Sequence, residues 1–568
     1  MCSNAQAGRR SPVFDRPLGL ALLVAALIVI PRTWLVSLAH SEYWDDQYHL
    51  RHGLALLERV PPGDMRQDAP LGQAVIALPQ WVAGIHLPPP QGPYAHPMHP
   101  APLPPQDTPP YAATLYLTKG GPEELTPLVA VWKAALFLPF AGLVFHWCRR
   151  LYGLPGGWLG LALVLVEPTI AGHIAPAALD VLGMEVGLFA CYLAWRYFEA
   201  PTKGRLLGAG FAVAAAMLTK HTAIITPGVV ALFAVAHWLR DRRVDREHTS
   251  LRRRVNQLLA GALVAAAFVW PLTLFDVSRP SDHGPVASAV YTEKFSFTAD
   301  VINGALMRPW PAGVYVGSIR GGQVRADGHP AYLWGRVSRH GWWYYFLAVG
   351  LYKVPLGVAL VMIVALASLW VVRPRFDELP LAIAAVCWGV FLTAGGIHIG
   401  FRHFLPAYVP VLMLCARVML VPWKPTRWIA WLGVAGAAVH VALWHPDYLS
   451  YINFPRDKPY LAISDSNIDW GQSLKQVRRW LEAHPQDGRP VSIGYFGNME
   501  NRSVRHYLPG VTQLTEEEPA PTKGLLIISP VWVAGAYGMD QYAFLRTRTP
   551  DAVIGHCMLV YDLDRLAE

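Results

Sequence analysis

The chain has 568 residues, 53% hydrophobic and only 15% charged, with a net charge of +9. A soluble protein of this size carries roughly a quarter charged residues, so the composition argues against a soluble enzyme and for lipid as solvent. Six scattered cysteines, at 2, 148, 191, 387, 415 and 557, form no CxxC and no framework spacing, which supports neither a disulfide scaffold nor a zinc ribbon.

Apolar stretches long enough to cross ~30 Å of hydrocarbon begin near Pro17, Leu125, Pro155, Val181, Leu206, Ala223, Val255, Phe346, Leu379, Phe404 and Trp428. They predict an α-helical polytopic membrane protein with about eleven transmembrane helices. The first stretch runs on through Pro31 to Leu38, with no small-x-small cleavage site before His40, as expected of an uncleaved span. Basic residues fall on alternate connections: Arg9-Arg10, Arg149-Arg150, Lys203 with Arg205, the run Arg240 to Arg254, Arg373 with Arg375, and Lys424 with Arg427. The positive-inside rule makes those connections cytoplasmic and puts the N-terminus inside. The arginine-rich run is then a topology signal, and no nucleic acid is expected as a partner.

Three segments are expected outside the membrane on the opposite face. Residues 40–124 include a proline-rich stretch, residues 276–341 form a second long loop, and residues 445–568 read as a small α/β domain following a transmembrane domain over 1–444. In that tail, Val491–Phe496, Leu525–Ile528 and Cys557–Tyr561 are short β-like runs. A helix is predicted before them from Trp470, Leu474, Val477 and Leu481 at one-face spacing, with Asp469 as N-cap and Gln472 completing a capping box.

The chemistry-bearing residues gather at expected helix ends on the outer side. Asp45 and Asp46 follow the first span. Adjacent carboxylates at a bilayer surface repel each other and resist desolvation, so they suit a catalytic task, a cationic ligand or a divalent metal. Asp180 opens the fourth span, Lys220 and His221 separate the fifth and sixth, and His398, Arg402 and His403 lie between the ninth and tenth. Any one cation could be snorkelling to the interface. Jointly they make a ring of carboxylates and cations suited to a lipid-linked phosphate: cations hold the phosphate, and a carboxylate deprotonates an acceptor hydroxyl. His86, His96 and His99 fall in or beside the proline-rich stretch, where solvated loop histidines are expected over a metal site. The aromatic run Trp342 to Phe346 reads as an interfacial belt.

These residues resemble a family. Trp44-Asp45-Asp46-Gln47-Tyr48-His49-Leu50 is similar to the Asp-Glu signature in the first outer loop of GT-C glycosyltransferases, which include protein O-mannosyltransferases and aminoarabinose transferases. Asp68-Ala69-Pro70-Leu71 resembles their His-Pro-Pro-Leu element, and Pro168 to Asp180, with His173 inside, their Pro-Asn-x-x-x-His segment ending in a second acid. Leu218-Thr219-Lys220-His221 resembles a Leu-x-Lys segment. Gly335 to Phe346 with Lys353-Val354-Pro355-Leu356 resembles a Gly-Trp-Trp-x-Tyr-Phe…Lys-x-Pro block, and Phe401 to Pro406 an Arg-x-x-Leu-Pro element. Ser464 to Leu474 is similar to the Asp-Ser-Asn-x-Asp-Trp-Gly-Gln block of a bacterial branch related to glycosyltransferase family 39. The resemblance runs in order over nearly the whole chain. Asp46 stands where the family usually has Glu, and Asp68-Ala69 replaces His-Pro, which leaves that histidine's role without a carrier here.

The resemblance implies a multi-pass enzyme of the bacterial plasma (inner) membrane, mannosyltransferase-like, moving a sugar from a polyprenyl-phosphate donor to a hydroxyl acceptor with inversion. It implies Asp45 as general base, with Asp46 and Asp180 orienting the acceptor or a divalent metal held by Asp45 and Asp46. Lys220 and Arg402 would contact the donor phosphate, with His403, His49 and His173 in the substrate site. The alternative is a transporter or lipid flippase without bond chemistry; the long outer loops, the soluble tail and the absence of visible repeats weigh against it.

Overall fold

The protein was analysed as a computed structural model, which describes residues 15–60, 68–87, 121–244, 250–282, 304–325, 329–453, 457–486, 488–497 and 502–566. Helix α1 (Arg16–Ala39) starts where Asp15 accepts the Leu18 N–H at 3.2 Å. The first outer loop folds back as two short helices, α2 (Asp46–Glu58) and α3 (Pro70–Val82), packed on each other. Next comes α4 (Gly121–Leu165), broken at Gly153, whose φ of 75° lies in the region that favours glycine. The stretches expected from Leu125 and from Pro155 are the two arms of this broken helix. They are followed by α5 (Pro168–Ile174), α6 (Asp180–Glu199), α7 (Lys203–Thr219), α8 (Thr226–Val244) and α9 (Leu251–Leu272).

The second outer segment carries two small antiparallel pairs, β1 (Val277–Ser278) with β2 (Trp310–Pro311) and β3 (Ala331–Leu333) with β4 (Arg336–Ser338), and α10 (Gly313–Arg325) between them. The remaining bundle helices are α11 (Tyr345–Lys353), α12 (Leu356–Ala367), α13 (Leu379–Ala394), α14 (Leu405–Cys415) and α15 (Lys424–Ala442). Each stretch expected to span is helical. Six helical segments are long and apolar enough to cross a membrane among the described residues: Arg16–Ala39, Gly121–Leu165, His221–Arg243, Leu251–Leu272, Phe376–Ala394 and Phe401–Leu420. The others fall short for visible reasons. Pro355 separates α11 from α12, α7 has 17 residues, and α6 carries Asp180, Glu185, Arg196 and Glu199.

After α15 the chain forms α16 (Leu474–Ala483) and a five-stranded sheet of β5 (Val491–Gly494), β6 (Thr512–Gln513), β7 (Leu525–Ile528), β8 (Ala552–Ile554) and β9 (Met558–Asp562), in the order β6-β5-β7-β9-β8. Strands β5, β6 and β7 run parallel, while β9 pairs antiparallel with β7 and β8. One face of the sheet packs on Leu474 and Val477 of α16. The other carries Leu526, Ile528 and Leu559 into the same apolar core as the bundle. The predicted capping box is corrected. The helix begins at Leu474, and Trp470 lies outside it. The Gln472 amide oxygen accepts the Trp470 N–H at 2.7 Å, and the Asp469 carboxylate is committed to Gly471 N and Ser529 Oγ. Burial between bundle and sheet outcompetes capping at an exposed helix start.

Backbone pairing joins the block 464–474 to the bundle. The Ser41 and Trp44 N–H groups donate to Gln472 O and Trp470 O at 2.9 and 3.0 Å. The buried Lys353 ammonium donates to the carbonyls of Leu449, Tyr451 and Asn467 at 2.7, 2.9 and 2.7 Å, while Asn453 Nδ2 donates to Leu351 O and Val354 O. One lysine therefore ties the linker and the tail block to α11. Replacing it leaves three buried carbonyls without their donor, each costing roughly 1–3 kcal/mol. Lys353→Met is expected to lower thermal stability by at least about 3 kcal/mol and to make the tail sensitive to limited proteolysis in detergent, whereas Lys424→Met, on an exposed residue, leaves both unchanged.

Candidate active site

Two neighbouring acids part ways at the start of α2. Asp45 is the N-cap and Asp46 the first helical residue, and successive residues there are rotated by about 100°, so the two side chains leave the backbone in different directions. The Asp46 carboxylate, 3% exposed, accepts the backbone N–H groups of Ala177 at 2.7 Å and Tyr43 at 3.1 Å. Burial pushes its pKa up to about 7. Both its oxygens are engaged away from the cavity described below, so the expectation that Asp46 joins Asp45 on a metal or acceptor is corrected: Asp46 braces the turn that carries Asp180. That turn is held from beneath by the Lys133 ammonium, which donates to the carbonyls of His173, Pro176 and Ala178. Among the described residues no group of three or more His, Cys, Asp or Glu side chains is arranged to hold a metal ion.

Asp45 turns the other way. It lines a cavity of about 690 Å³ shared with His49, Asp68, Asp180, Lys220, Arg402 and His403, a size that suits a sugar phosphate. Its side chain is 21% exposed, against 3% for Asp180. Asp180 is paired with the Lys220 ammonium, with Arg402 Nη1 at 3.1 Å and with His403 Nδ1 at 3.7 Å. Lys220 passes close along α6 because Gly183 has no side chain; a Cβ there would stand 2.8 Å from that of Lys220. Asp180 thus aligns the two cations at the cavity wall.

Arg402 is the most tightly held group. Its Nη1 reaches Asp180 and, at 3.4 Å, Asp45; its Nε donates to Ser466 Oγ at 3.1 Å. Its guanidinium carbon lies 3.6 Å from the centre of the Trp470 ring, a cation–π contact. Ser466 and Asn467 hold this strand of backbone in place, Ser466 by donating to Ile399 O at 2.8 Å and Asn467 by accepting the Phe401 N–H at 2.9 Å. His49 lines the cavity and bonds to Gln73 Nε2 at 3.3 Å. His173 does not line it, a second correction. Its Nδ1 bonds to Thr169 O at 2.7 Å and its ring lies 5.7 Å from that of Trp470, so it backs the tryptophan that carries Arg402.

The tail also lines the cavity, with Asp465, Trp470, Tyr495, Phe496, Gln513 and Tyr537. The motif block pointed to Asp465 and Trp470. Phe496 follows β5, Tyr537 follows the short helix Pro530–Ala534, and neither carries a local signal. Of the weaker candidates, His86 pairs with Glu58 at 3.0 Å, and His96 and His99 lie outside the described residues. In the aromatic run, Trp343 is 76% exposed, whereas Tyr345 is buried and stacked on His398 at 4.9 Å.

Residues 126–272 match the family model for dolichyl-phosphate-mannose-protein mannosyltransferases. That match falls on the part of the chain that carries the Pro168 to Asp180 and Leu218 to His221 motifs, and it is to the same kind of protein that those motifs resemble. Among solved structures, ArnT from Cupriavidus metallidurans bound to undecaprenyl phosphate aligns at 13% identity and a TM-score of 0.47, covering 95% of this chain and 97% of that one. The same protein in its apo state aligns at 14% and 0.45, covering 95% and 98%. An Archaeoglobus fulgidus oligosaccharyltransferase, in complex with zinc and sulfate, aligns at 11% and 0.42, covering 93% and 69%. No curated protein matches this chain by sequence.

Asp469 gives the tail block a pH signature. It is fully buried, accepting from Ser529 Oγ and Gly471 N at 2.5 and 2.9 Å, and burial raises its pKa to about 6. Unfolded, the group titrates near 4. Between those values the folded protein binds more protons, so this contribution to stability is complete below about pH 4 and is lost as pH rises through 6. Asp469→Asn should flatten that part of a melting-temperature profile in detergent; Asp46, raised in the same direction, keeps its own slope at higher pH. An unchanged profile would remove the assignment.

Proposed function

We propose that the protein transfers a sugar from a polyprenyl-phosphate donor to an acceptor hydroxyl, with Asp45 as general base and Lys220 and Arg402 on the donor phosphate. The observation that carries this reading is the unequal commitment of the three acids. Asp46 is consumed by backbone N–H groups and Asp180 by cations, while Asp45 stands partly open at the cavity wall beside Arg402. A base must be reachable by the proton that it takes.

The step balances in atoms and charge. The acceptor O–H bond breaks and its proton goes to Asp45, as the oxygen bonds to the anomeric carbon from the face opposite the phosphate. The bond from that carbon to the phosphate oxygen breaks, and its electron pair leaves with the phosphate. A single displacement of this kind inverts the anomeric centre. The phosphate gains a negative charge at the moment Asp45 loses one, so Arg402, which Asp45 contacts, turns its attraction to the phosphate, while Lys220 stays paired with Asp180 and takes the phosphate as a further partner. Fixed cations aimed at developing charge in a site shielded from water need no reorganisation during the reaction. His403 and His49 line the same space and support the bound sugar phosphate. Ile224, Ile319, Ile397 and Ile399, in the same wall, give the lipid chain an apolar path.

The basic residues of the alternate connections support an orientation with this cavity on the outer face of a bacterial inner membrane and a tail domain from residue 445 over it. Purified protein supplied with a lipid-linked sugar and an acceptor should release free polyprenyl phosphate, an outcome that transport alone cannot produce. Asp45→Asn should reduce turnover by roughly 10²–10⁴-fold with folding preserved; near-normal turnover would sink the base assignment. Lys220→Met and Arg402→Met should each lose about 2–5 kcal/mol, divided between donor KM and kcat. Unchanged donor KM and kcat in both variants would return these residues to interface snorkelling.

A further inference from the structure

The cavity has a second end whose chemistry differs from the first. Three aromatic rings follow one another, from Trp44 beside Asp45 to Tyr537 beside Asp465. Trp44 lies 5.1 Å from Phe496 with an interplanar angle of 32°, and Phe496 lies 5.6 Å from Tyr537 at 25°. All three line the cavity and none is fully buried. At the end of the row the Tyr537 hydroxyl donates to the Asp465 carboxylate, whose other oxygen accepts the Ser466 N–H at 2.5 Å.

Asp465 is held in this place against two costs. Its backbone is left-handed, with φ of 62°, which costs a non-glycine residue about 1–2 kcal/mol. Its carboxylate is 6% exposed, and burying a carboxylate is unfavourable unless it is hydrogen-bonded. Strain that the surrounding structure holds in place marks a position where a side chain must face one direction. Here that direction is the cavity wall, at the edge of the aromatic row.

We propose that this end is the acceptor subsite and that the acceptor hydroxyl belongs to a saccharide. The inference rests on the reading of the Asp45–Arg402 end as the donor end. A pyranose has two C–H faces and a rim of hydroxyls. The cavity-lining surfaces of Trp44, Phe496 and Tyr537, which stack on one another, meet the C–H faces, and the Gln513 amide and the lone pairs that Asp465 keeps beyond its two hydrogen bonds take the rim. Trp44 and Asp45 line the same cavity, so a sugar against the first ring lies in the space that the base shares. An extended peptide is the competing occupant, since β6 is an edge strand whose Gln513 lines the cavity. That edge is two residues long, and the Leu514 N–H beside it is spent on Ile493 O at 2.9 Å. It offers too few backbone groups for a peptide to add a strand.

The test uses the full-length protein in detergent with maltotriose, cellotriose, chitotriose and an Ala-Pro-Ser-Thr-rich peptide as probes, read by saturation-transfer NMR. Donor cleavage is assayed separately with a lipid-linked sugar. At least one trisaccharide should receive saturation, strongest on the C–H protons of one ring face, and the peptide none. Phe496→Leu and Tyr537→Phe, each checked for an unchanged melting temperature, should raise the apparent Kd and the acceptor KM for that trisaccharide about tenfold, the factor expected from 1.4 kcal/mol. The donor KM should move far less. Saturation of the peptide in place of the sugars, or of no trisaccharide, overturns the saccharide assignment; if donor cleavage persists in that case, the proposed function stands without it. Absence of donor cleavage with every acceptor overturns both.

Discussion

The burial of one guanidinium organises this molecule. Arg402 is 5% exposed, and a charge so far from water is tolerated only where several partners replace its hydration. Those partners come from three separate parts of the chain: Asp45 from the segment after α1, Asp180 from the start of α6, and Ser466 and Trp470 from the tail block. Satisfying one cation therefore assembles the site. Three of these partners are in turn fixed by a further contact: Asp180 by the turn resting on Lys133 and Asp46, Ser466 by Ile399 O, Trp470 by the ring of His173. Groups placed to within a fraction of an ångström depend on such support.

This layering explains which parts of the site were legible in the amino-acid sequence. Charged residues at the ends of apolar stretches stand out because lipid makes them expensive, so Asp45, Asp180, Lys220, Arg402 and His403 could be selected without coordinates, and the structure brings all five to one cavity. Which acid faces the cavity could not be read. Asp45 and Asp46 are identical in type and adjacent, and only the position of the Ala177 N–H, set by a turn more than a hundred residues away, separates them. His173 carried a motif but supports a ring. Phe496 and Tyr537 carried none, because an aromatic residue after a strand or a short helix reads as core until the neighbouring segment is known.

The fold shows the same division. Hydropathy marks where helices lie but not how long each remains apolar. The break at Gly153 joins two expected spans in one helical segment, and Pro355 splits another. In the tail, the β-like runs became β5, β7 and β9, since short apolar runs bounded by turn residues have few other ways to satisfy their backbone. The helix boundary was misread at Asp469 for a tertiary reason. A capping box is worth about 1 kcal/mol, less than the combined hydrogen bonds and burial that draw residues 469–472 into the junction between bundle and sheet.

Four buried or half-buried cations invite the same functional reading, and their partners divide them. Lys133 and Lys353 each donate to three backbone carbonyls. A carbonyl cannot leave, and nothing that a substrate brings can substitute for three of them at once, so these lysines are fixed parts of the scaffold. Lys220 and Arg402 are held by carboxylates. A phosphate oxygen is the same kind of partner as a carboxylate oxygen, with comparable geometry and charge, so these two can share or exchange partners without losing their pairing. A site that must accept an anion, stabilise it as its charge grows and then release it requires cations whose resting partners are replaceable. In the proposed reaction Lys220 and Arg402 would be the substrate groups, Asp180 their resting counter-ion, and protonation of Asp45 the event that shifts the attraction of Arg402 from the protein to the departing phosphate.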